Sequence, residues 1–488
     1  MPAPLDSPST YRIGRAAFLL LLGICLSAGF LALVHQAPGL IGSRGITPLH
    51  DVLDGWRRNC GDRAPLAAPS LFWLCEADWF ITFVAGLGLA AAISLTIGLA
   101  PRAACVVAYV AWLSFRALEG GTVRWFNYPY DDLQCEVVFL GIAIAPGSLW
   151  LWRARSELAT WKRWLVIWLL LRLLLGPGLT KVVFHEPWRD LSAIGDFLLT
   201  MPHPTAAAAV FASLPTWCLQ AMCVFTLVCE LLCPFLFLLP GRPRRFAAAA
   251  CIALMVGIQI VCNIRGFNLL TIGLLLMLWD DAALLRLLPA RWRPQLEAPW
   301  PAVASAPRRV AAAGFAGLVL FATIGPTATL LSTSVARLAP FLAPAERALQ
   351  PLRIASCYTM FCLMPDQRLG LVVQGSDDGE NWRDYEPLGA PARVDRVPRS
   401  FAPYHDYLGF KLWFAGFCPP SEDEWLRALQ RRLLEAEPTV LRLFAATPFG
   451  DVPPRQVRIE MFRFTFATDT AWHRESLGIR IAAARRQD

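Results

Sequence analysis

Five long apolar runs decide what this chain can become. Ala16–Val34, Phe80–Ala100, Trp217–Leu239, Phe246–Cys262 and Val310–Leu331 carry almost no charge. Most approach the ~20 residues that an α-helix needs to cross a ~30 Å hydrocarbon layer. Weaker runs at Ala103–Leu118, Cys135–Trp152, Trp164–Leu179 and Phe267–Leu278 raise the expectation to about nine spans or membrane-embedded segments. With 56% hydrophobic and only 17% charged residues, a soluble protein of this size would lack polar surface. The first run follows Arg12 and Arg15 as a signal peptide would, but it is long and many spans succeed it, so it reads as an uncleaved signal-anchor.

Basic residues sort the loops. With the N-terminus inside, one set of short loops holds Arg12, Arg15, Arg102, Arg153, Arg155, Lys162, Arg163, Arg242, Arg244, Arg245, Arg286, Arg291, Arg293, Arg308 and Arg309. The opposite loops mix fewer cations with acids such as Asp62, Asp131, Asp132, Glu186 and Asp190. Lys and Arg beside spans are retained on the cytoplasmic side, so an odd number of spans sends the tail outside. The net charge of +8 is then a matter of topology, and no nucleic-acid partner is expected.

The chain divides into a multispan membrane domain, 1–339, and an extracytoplasmic soluble domain, 340–488, of α+β or β-sandwich-like class. Arg353–Leu363 and Leu369–Gly375 have strand composition, and Asp377-Asp378-Gly379 supplies a hairpin turn whose return strand is Trp382–Tyr385. Val457–Thr468 alternates as a third strand. A helical insertion is expected over 421–446, with Ser421 as N-cap and Glu424 completing a capping box.

Fourteen cysteines include eight in spans, where a thiol is a small apolar filler. Cys60, Cys75, Cys357, Cys362 and Cys418 would face an oxidising side, with Cys135 near that boundary and pairing left open. No CxxC, zinc spacing or HExxH occurs, and the Asp377-Asp378-Gly379 turn lacks the twelve-residue loop of an EF-hand, so no metal and no cofactor are expected. No serine stands in a G-x-S-x-G elbow, and no phosphate-cradling loop occurs.

Several blocks, read in order, resemble the lipase maturation factor family. They are Gly39–Pro48, Tyr130–Glu136, Leu175–Lys181 with Trp188–Leu191, Asn263–Ile272, Gly375–Glu386 and Phe401–His405. The resemblance implies a multispan protein whose lumenal C-terminal domain helps lipases reach their folded state. In animals the membrane is that of the endoplasmic reticulum; the Arg-, Ala- and Pro-rich composition points to a bacterial inner membrane instead, with the tail periplasmic. A second, more distant likeness joins Gly178, Lys181 and Trp188 to the reactive-lysine region of vitamin K-dependent γ-glutamyl carboxylases. That family's upstream Asn-His-x-Tyr pattern is Phe126–Tyr130 here, without histidine.

Two readings of the functional residues follow. In the leading one the chain is a non-enzymatic, chaperone-like maturation factor with no catalytic residue, whose secreted client contacts Trp382, Tyr385, Phe401, Tyr404, His405 and Trp413, unless these form the domain's core. In the other, Asp131, Glu136, Lys181 and Arg189 line a polar pocket of a membrane enzyme or lipid- or quinone-handling protein, with Trp188, Asn263 and Asn268 beside it. Convergence of the four charges in an open cavity would favour the second reading, and separation or mutual pairing the first. The bland expectation is that Asp131 and Glu136 pair with Lys181, Arg116 or Arg189, while Glu230 and Gln259 find partners between helices.

Overall fold

The computed structural model describes residues 10–118, 125, 126, 128–287, 289, 291, 306–331, 348–361, 364–450, 452–467 and 471–486. The expected domain boundary at 339 and Cys362 lie outside them. All nine expected spans fall on helices. These are α1 (Arg12–Ile41), α2 (Asp78–Ile97), α3 (Pro101–Arg116), α4 (Pro129–Ile144), α5 (Thr160–Phe184), α6 (Thr216–Leu231), α7 (Arg242–Val261), α8 (Phe267–Leu276) and α9 (Ala306–Leu331). Among the described residues five helices are long and apolar enough to cross a membrane, and seven if each of two bent pairs counts as one span. The bent pairs join Ala206–Ala212 to α6 and α8 to Asp281–Leu287. With 16 residues each, α3 and α4 are shorter than a full crossing.

The bundle closes around α1, which packs against α2, α4 and α8. Lipid tails are as apolar as leucine, so this packing depends on close fit more than on exclusion of water. The starts of α1 and α5 meet where Arg15 Nη1 donates to Ser156 Oγ at 3.5 Å and Arg163 lies 3.9 Å from the Tyr11 ring centroid. At the other end of α1, Gln36 and Gly39 meet the tail.

The fourth helix begins earlier than the expected run Cys135–Trp152. Pro129 fits the first helical turn, where a missing N–H costs nothing, and Asp131 accepts the Tyr128 N–H at 3.1 Å. Asp131 and Glu136 therefore lie inside the helix, each at most 1% exposed, and not at the mouth of a span.

The tail holds a four-stranded antiparallel sheet in the order β2-β1-β5-β6, formed by β1 (Arg368–Ser376), β2 (Arg383–Asp384), β5 (Gln456–Phe466) and β6 (Trp472–Arg485). A short ribbon pairs β3 (Glu386–Pro387) with β4 (Phe444–Ala446). Helix α10 (Tyr407–Ala415) packs on β1, and α11 (Glu424–Leu434) lies on β5 and β6. Leu426, Leu429 and Leu433 turn inward from α11, and Gln430 Nε2 donates to the carbonyls of Val457 and Ala482 at 2.6 and 2.8 Å. The class is α+β.

Three expected details change, the first being that the insertion expected to be helical over 421–446 ends in β4, which pairs with β3. Arg353–Leu363 is no strand over its described part, because its polar groups turn to the membrane helices, as described below. Ser421 lies in a 3₁₀ turn, and α11 starts only after Asp423, whose carboxylate is engaged by Arg480 at 2.5 and 3.0 Å instead of capping the helix. The hairpin expectation stands, since Gln374 pairs with Asp384. Its Asp378 accepts N–H groups from Glu380 and Asn381, the Asn381 side chain and the Ser376 hydroxyl. These donors hold the carboxyl well below its ordinary range. Cys60, Cys75 and Cys418 are free thiols.

Candidate functional site

One cluster of buried apolar residues runs from Phe18 in α1 through Tyr358 to Trp425 and Ile459 in the tail. The tail is thus packed on the bundle. Polar side chains from both regions fix it there, and most belong to the blocks singled out in the sequence.

Asn263, in the turn between α7 and α8, holds the tail through three bonds. Its Oδ1 accepts the N–H groups of Phe401 and Ala402 at 2.8 and 3.0 Å, and its Nδ2 donates to the Arg399 carbonyl at 2.8 Å. Gln36, near the end of α1, does the same for the next residues, donating to the His405 carbonyl at 2.6 Å and accepting the Tyr407 N–H at 2.9 Å. Replacing Asn263 with Ala leaves two N–H groups and a carbonyl without partners, at a cost of about 1–3 kcal/mol for a buried group. Hydrogen exchange at Phe401 and Ala402 is expected to rise accordingly, while exchange within α11 stays unchanged.

Arg265 is the hub. It has a left-handed backbone, φ 41°, a strained conformation for a non-glycine residue. Its neighbour Gly266 lets the turn approach α1 and α4, since a Cβ there would lie 2.7 Å from Cys25 Sγ and 3.2 Å from the Tyr130 hydroxyl. The guanidinium reaches Asp131 at 2.5 Å and lies 5.0 and 4.5 Å from the ring centroids of Tyr130 and Tyr407. A cation over two aromatic faces is stabilised by their quadrupoles as well as by the carboxylate.

The other expected charges pair elsewhere. Glu136 contacts Arg172 of α5, and its second oxygen accepts the Tyr358 hydroxyl at 2.8 Å. Arg172 also donates to the Ser356 carbonyl at 3.0 Å, which explains why this segment cannot serve as a strand. Lys181 pairs with Glu230 of α6, 4.9 Å from the Trp188 ring centroid, and the Trp188 indole donates to the Phe361 carbonyl at 3.0 Å. Asn268 donates to Gln259 at 3.3 Å. Arg116 pairs with Asp132, not with Asp131 or Glu136, and exposed Arg189 donates to the Val182 carbonyl at the end of α5. The expected partners of Asp131 and Glu136 are thus replaced by Arg265 and Arg172. The four charges proposed to share one pocket occupy separate pairs or the surface, and none of them lines the groove at the start of α9 (Ala306–Leu331) or the recess around residues 386–399.

The aromatic residues proposed to meet a client have structural neighbours. Tyr385 and His405 are 1% and 3% exposed, Tyr385 packing on Phe444 and Phe449 and His405 on Tyr407 and Phe410. Neither offers surface to a partner, because both fill the space under the sheet or the seam. Tyr404 accepts from Gln36, the Trp413 indole donates to the Thr200 carbonyl at 2.9 Å, and Phe401 packs on His203. Trp382 donates to the Gly379 carbonyl beneath Arg458, 4.1 Å from its ring centroid.

The sequence reading missed Arg368, His203 and a cysteine group. Arg368, 1% exposed at the start of β1, donates to the carbonyls of Leu199, Met201 and Pro202 at 3.1, 2.5 and 3.0 Å, so it clamps the sheet to the bundle. A lone arginine heading a strand of valines was its only signal. Cys229, Cys233 and Cys251 bring their sulfurs within 4.8 Å of one another inside the bundle, a spacing suited to a soft metal ion. No CxxC announced it, because Cys229 and Cys233 stand four residues apart and Cys251 comes from α7. The Cys251 thiol donates to the Cys229 carbonyl at 3.5 Å, as a protonated filler does.

Residues 13–286 match the lipase maturation factor transmembrane domain, and residues 354–481 the lipase maturation factor C-terminal domain. The chain belongs to the lipase maturation factor family. Lipase maturation factor 1 of Bos taurus is 30% identical, an alignment covering 100% of this chain and 91% of the relative. Lipase maturation factor 1 of Mus musculus is 29% identical, over 96% and 86% of the two chains. Lipase maturation factor 2 of Gallus gallus is 24% identical, over 93% and 78%. No solved structure shows a significant match. This lipase maturation factor relative is therefore a multi-pass membrane protein with a folded C-terminal region fixed to its bundle.

Proposed function

We propose that this chain is a membrane-anchored maturation factor that assists folding or assembly of a secreted client, by kinship a lipase. The N-terminus is cytoplasmic and the tail extracytoplasmic, periplasmic in a bacterium and lumenal in an endoplasmic reticulum. The protein acts without cofactor or covalent chemistry. Asp131, Glu136, Lys181, Trp188, Asn263 and Asn268 serve to hold a platform, and Trp382, Tyr385, Phe401, Tyr404, His405 and Trp413 to stiffen it.

The observation that carries this reading is a long strand edge on a tail fixed to the bundle. β6 pairs with β5 on one side and no described strand pairs with the other, although the Trp472 N–H at its start donates to the Val394 carbonyl and the Ala482 carbonyl near its end accepts from Gln430. Leu477 and Ile479 are 42% and 49% exposed along it. An open strand edge presents N–H and C=O groups to an extended chain, which is how a partly folded client lacking its own strand partners would be received. Mounting on the bundle keeps that edge at a fixed distance from the membrane from which the client emerges.

The test is a secreted lipase co-expressed with the full-length protein bearing a photo-crosslinker at Leu477. Crosslinks to newly exported lipase, and a several-fold loss of lipase specific activity with Leu477→Lys/Ile479→Lys at unchanged melting temperature, are expected. Unchanged activity of the lipase after deletion of the whole protein would refute the reading.

A further inference from the structure

The end of the bundle remote from the tail carries a groove that none of the seam residues uses. It lies between the start of α9 and the facing ends of α3, α4 and α5, with a cavity volume of about 1060 Å³. Arg102, Lys162, Arg308 and Arg309 stand on its walls, and no acid lines it among the described residues. Arg102 donates to the Ala145 carbonyl at 2.9 Å and Lys162 to that of Ala143. Those acceptors hold the two cations in place without neutralising them.

The rest of the lining is apolar. Phe315 of α9 stacks on Phe139 at 5.0 Å and approaches Trp161 at 6.2 Å, and these rings join α9 to the bundle. Beside them the small side chains of Ala312 and Ala316 line the groove. Four uncompensated cations call for a polyanion or a phosphate. An apolar wall continuing into the membrane calls for acyl chains. A soluble phosphate would satisfy only the first demand and a neutral lipid only the second.

We infer that this groove binds an anionic phospholipid, its headgroup phosphate held by Arg102, Lys162, Arg308 and Arg309 and one acyl chain lying along Ala312 and Ala316. Guanidinium and ammonium groups bind phosphate through charge-assisted hydrogen bonds, and basic recesses between spans suit anionic headgroups. The lipid would fasten α9 at its start, the helix from which the tail region follows. The inference is independent of the client-binding reading, since it concerns the opposite end of the molecule.

The full-length protein is reconstituted in dioleoyl phosphatidylcholine, and brominated dioleoyl phosphatidylglycerol or brominated dioleoyl phosphatidylcholine is titrated in. The quenching lost on Trp161→Phe reports occupancy. The phosphatidylglycerol is expected to quench Trp161 at mole fractions about ten- to thirtyfold lower than the phosphatidylcholine, and Arg308→Gln/Arg309→Gln to abolish most of that preference. Ala312→Trp, which keeps every charge, is expected to block the quenching by filling the groove. Equal quenching by the two lipids would overturn the inference. So would displacement of the brominated lipid by excess inorganic phosphate, or a preference that survives both variants.

Discussion

The double variant Lys181→Met/Glu230→Leu is expected to fold, to melt at or above the temperature of the unaltered protein, and to mature its client normally. Either single change is expected to be far worse. Lys181 and Glu230 are 2% and 6% exposed, and each is the charged partner of the other. Lys181→Ala leaves a carboxylate buried without its cation, and Glu230→Ala leaves an ammonium, a loss of roughly 3–5 kcal/mol in either case. Removing both charges and keeping the volume removes the desolvation penalty together with the attraction, so the exchange is neutral or favourable. One Glu230 oxygen has no hydrogen-bond partner, which lowers what the pair contributes and strengthens this expectation. Melting in detergent and the specific activity of the co-expressed lipase are the two measurements. A lysine acting as base or anion anchor would give a different pattern: the double variant would fold as well as before and yield inactive client.

The positions of these residues show what the chain disclosed in advance. Runs of apolar residues announced the helices because a membrane span is a local property: length and absence of charge suffice. Likewise the Asp377-Asp378-Gly379 hairpin is closed by its own turn, with Asp378 receiving four donors from residues within three positions. The partners of the buried charges are non-local. Asp131 meets Arg265 across 134 positions, Glu136 meets Tyr358 across 222, and Gln36 meets His405 across 369. Nothing in a window of sequence says which cation will face which acid once helices pack.

Arg353–Leu363 fails for a related reason. Its composition suits a strand, but no neighbouring strand is offered; instead Arg172 takes the Ser356 carbonyl and Glu136 takes the Tyr358 hydroxyl. Strand propensity describes fit to a pleated, half-buried surface, and a bundle of helices is not one. The aromatic residues of the tail illustrate a third case. Their abundance was plain, yet whether a ring meets client or core depends on the seam, which only the two regions together create. Tyr407 is buried beneath the Arg265 guanidinium, and His405 packs against Tyr407 and Phe410.

The same seam predicts a loss of docking in acid. His203 and His405 are buried with ring centroids 5.8 Å apart, and none of their four nitrogens has a hydrogen-bond partner among the described residues. Burial, then Arg368 and Arg265, pushes His203 down to about 3, while burial, Arg265 and His203 lower His405 well below its ordinary value. A base whose folded pKa is depressed stabilises the docked state only while neutral. The contribution is complete above the free value of about 6.5 and falls steadily as pH drops below it. At pH 5 the loss through His203 alone is about 2 kcal/mol, and His405 adds to it in the same direction. Asp406, 4.0 Å from His203, opposes this, because burial raises its carboxyl to about 6 and the docked state then gains as it protonates. That gain is about 1 kcal/mol between pH 7 and pH 5, too little to reverse the sign. Amide exchange across Leu199–Thr205 and across residues 399–407 is therefore expected to accelerate between pH 7 and pH 5, with the interior of α1 unaffected. In His203→Leu/His405→Leu the acceleration should vanish and Asp406 alone should leave a slight slowing. Acid-induced exchange that persists in the double variant would assign the sensitivity to other groups.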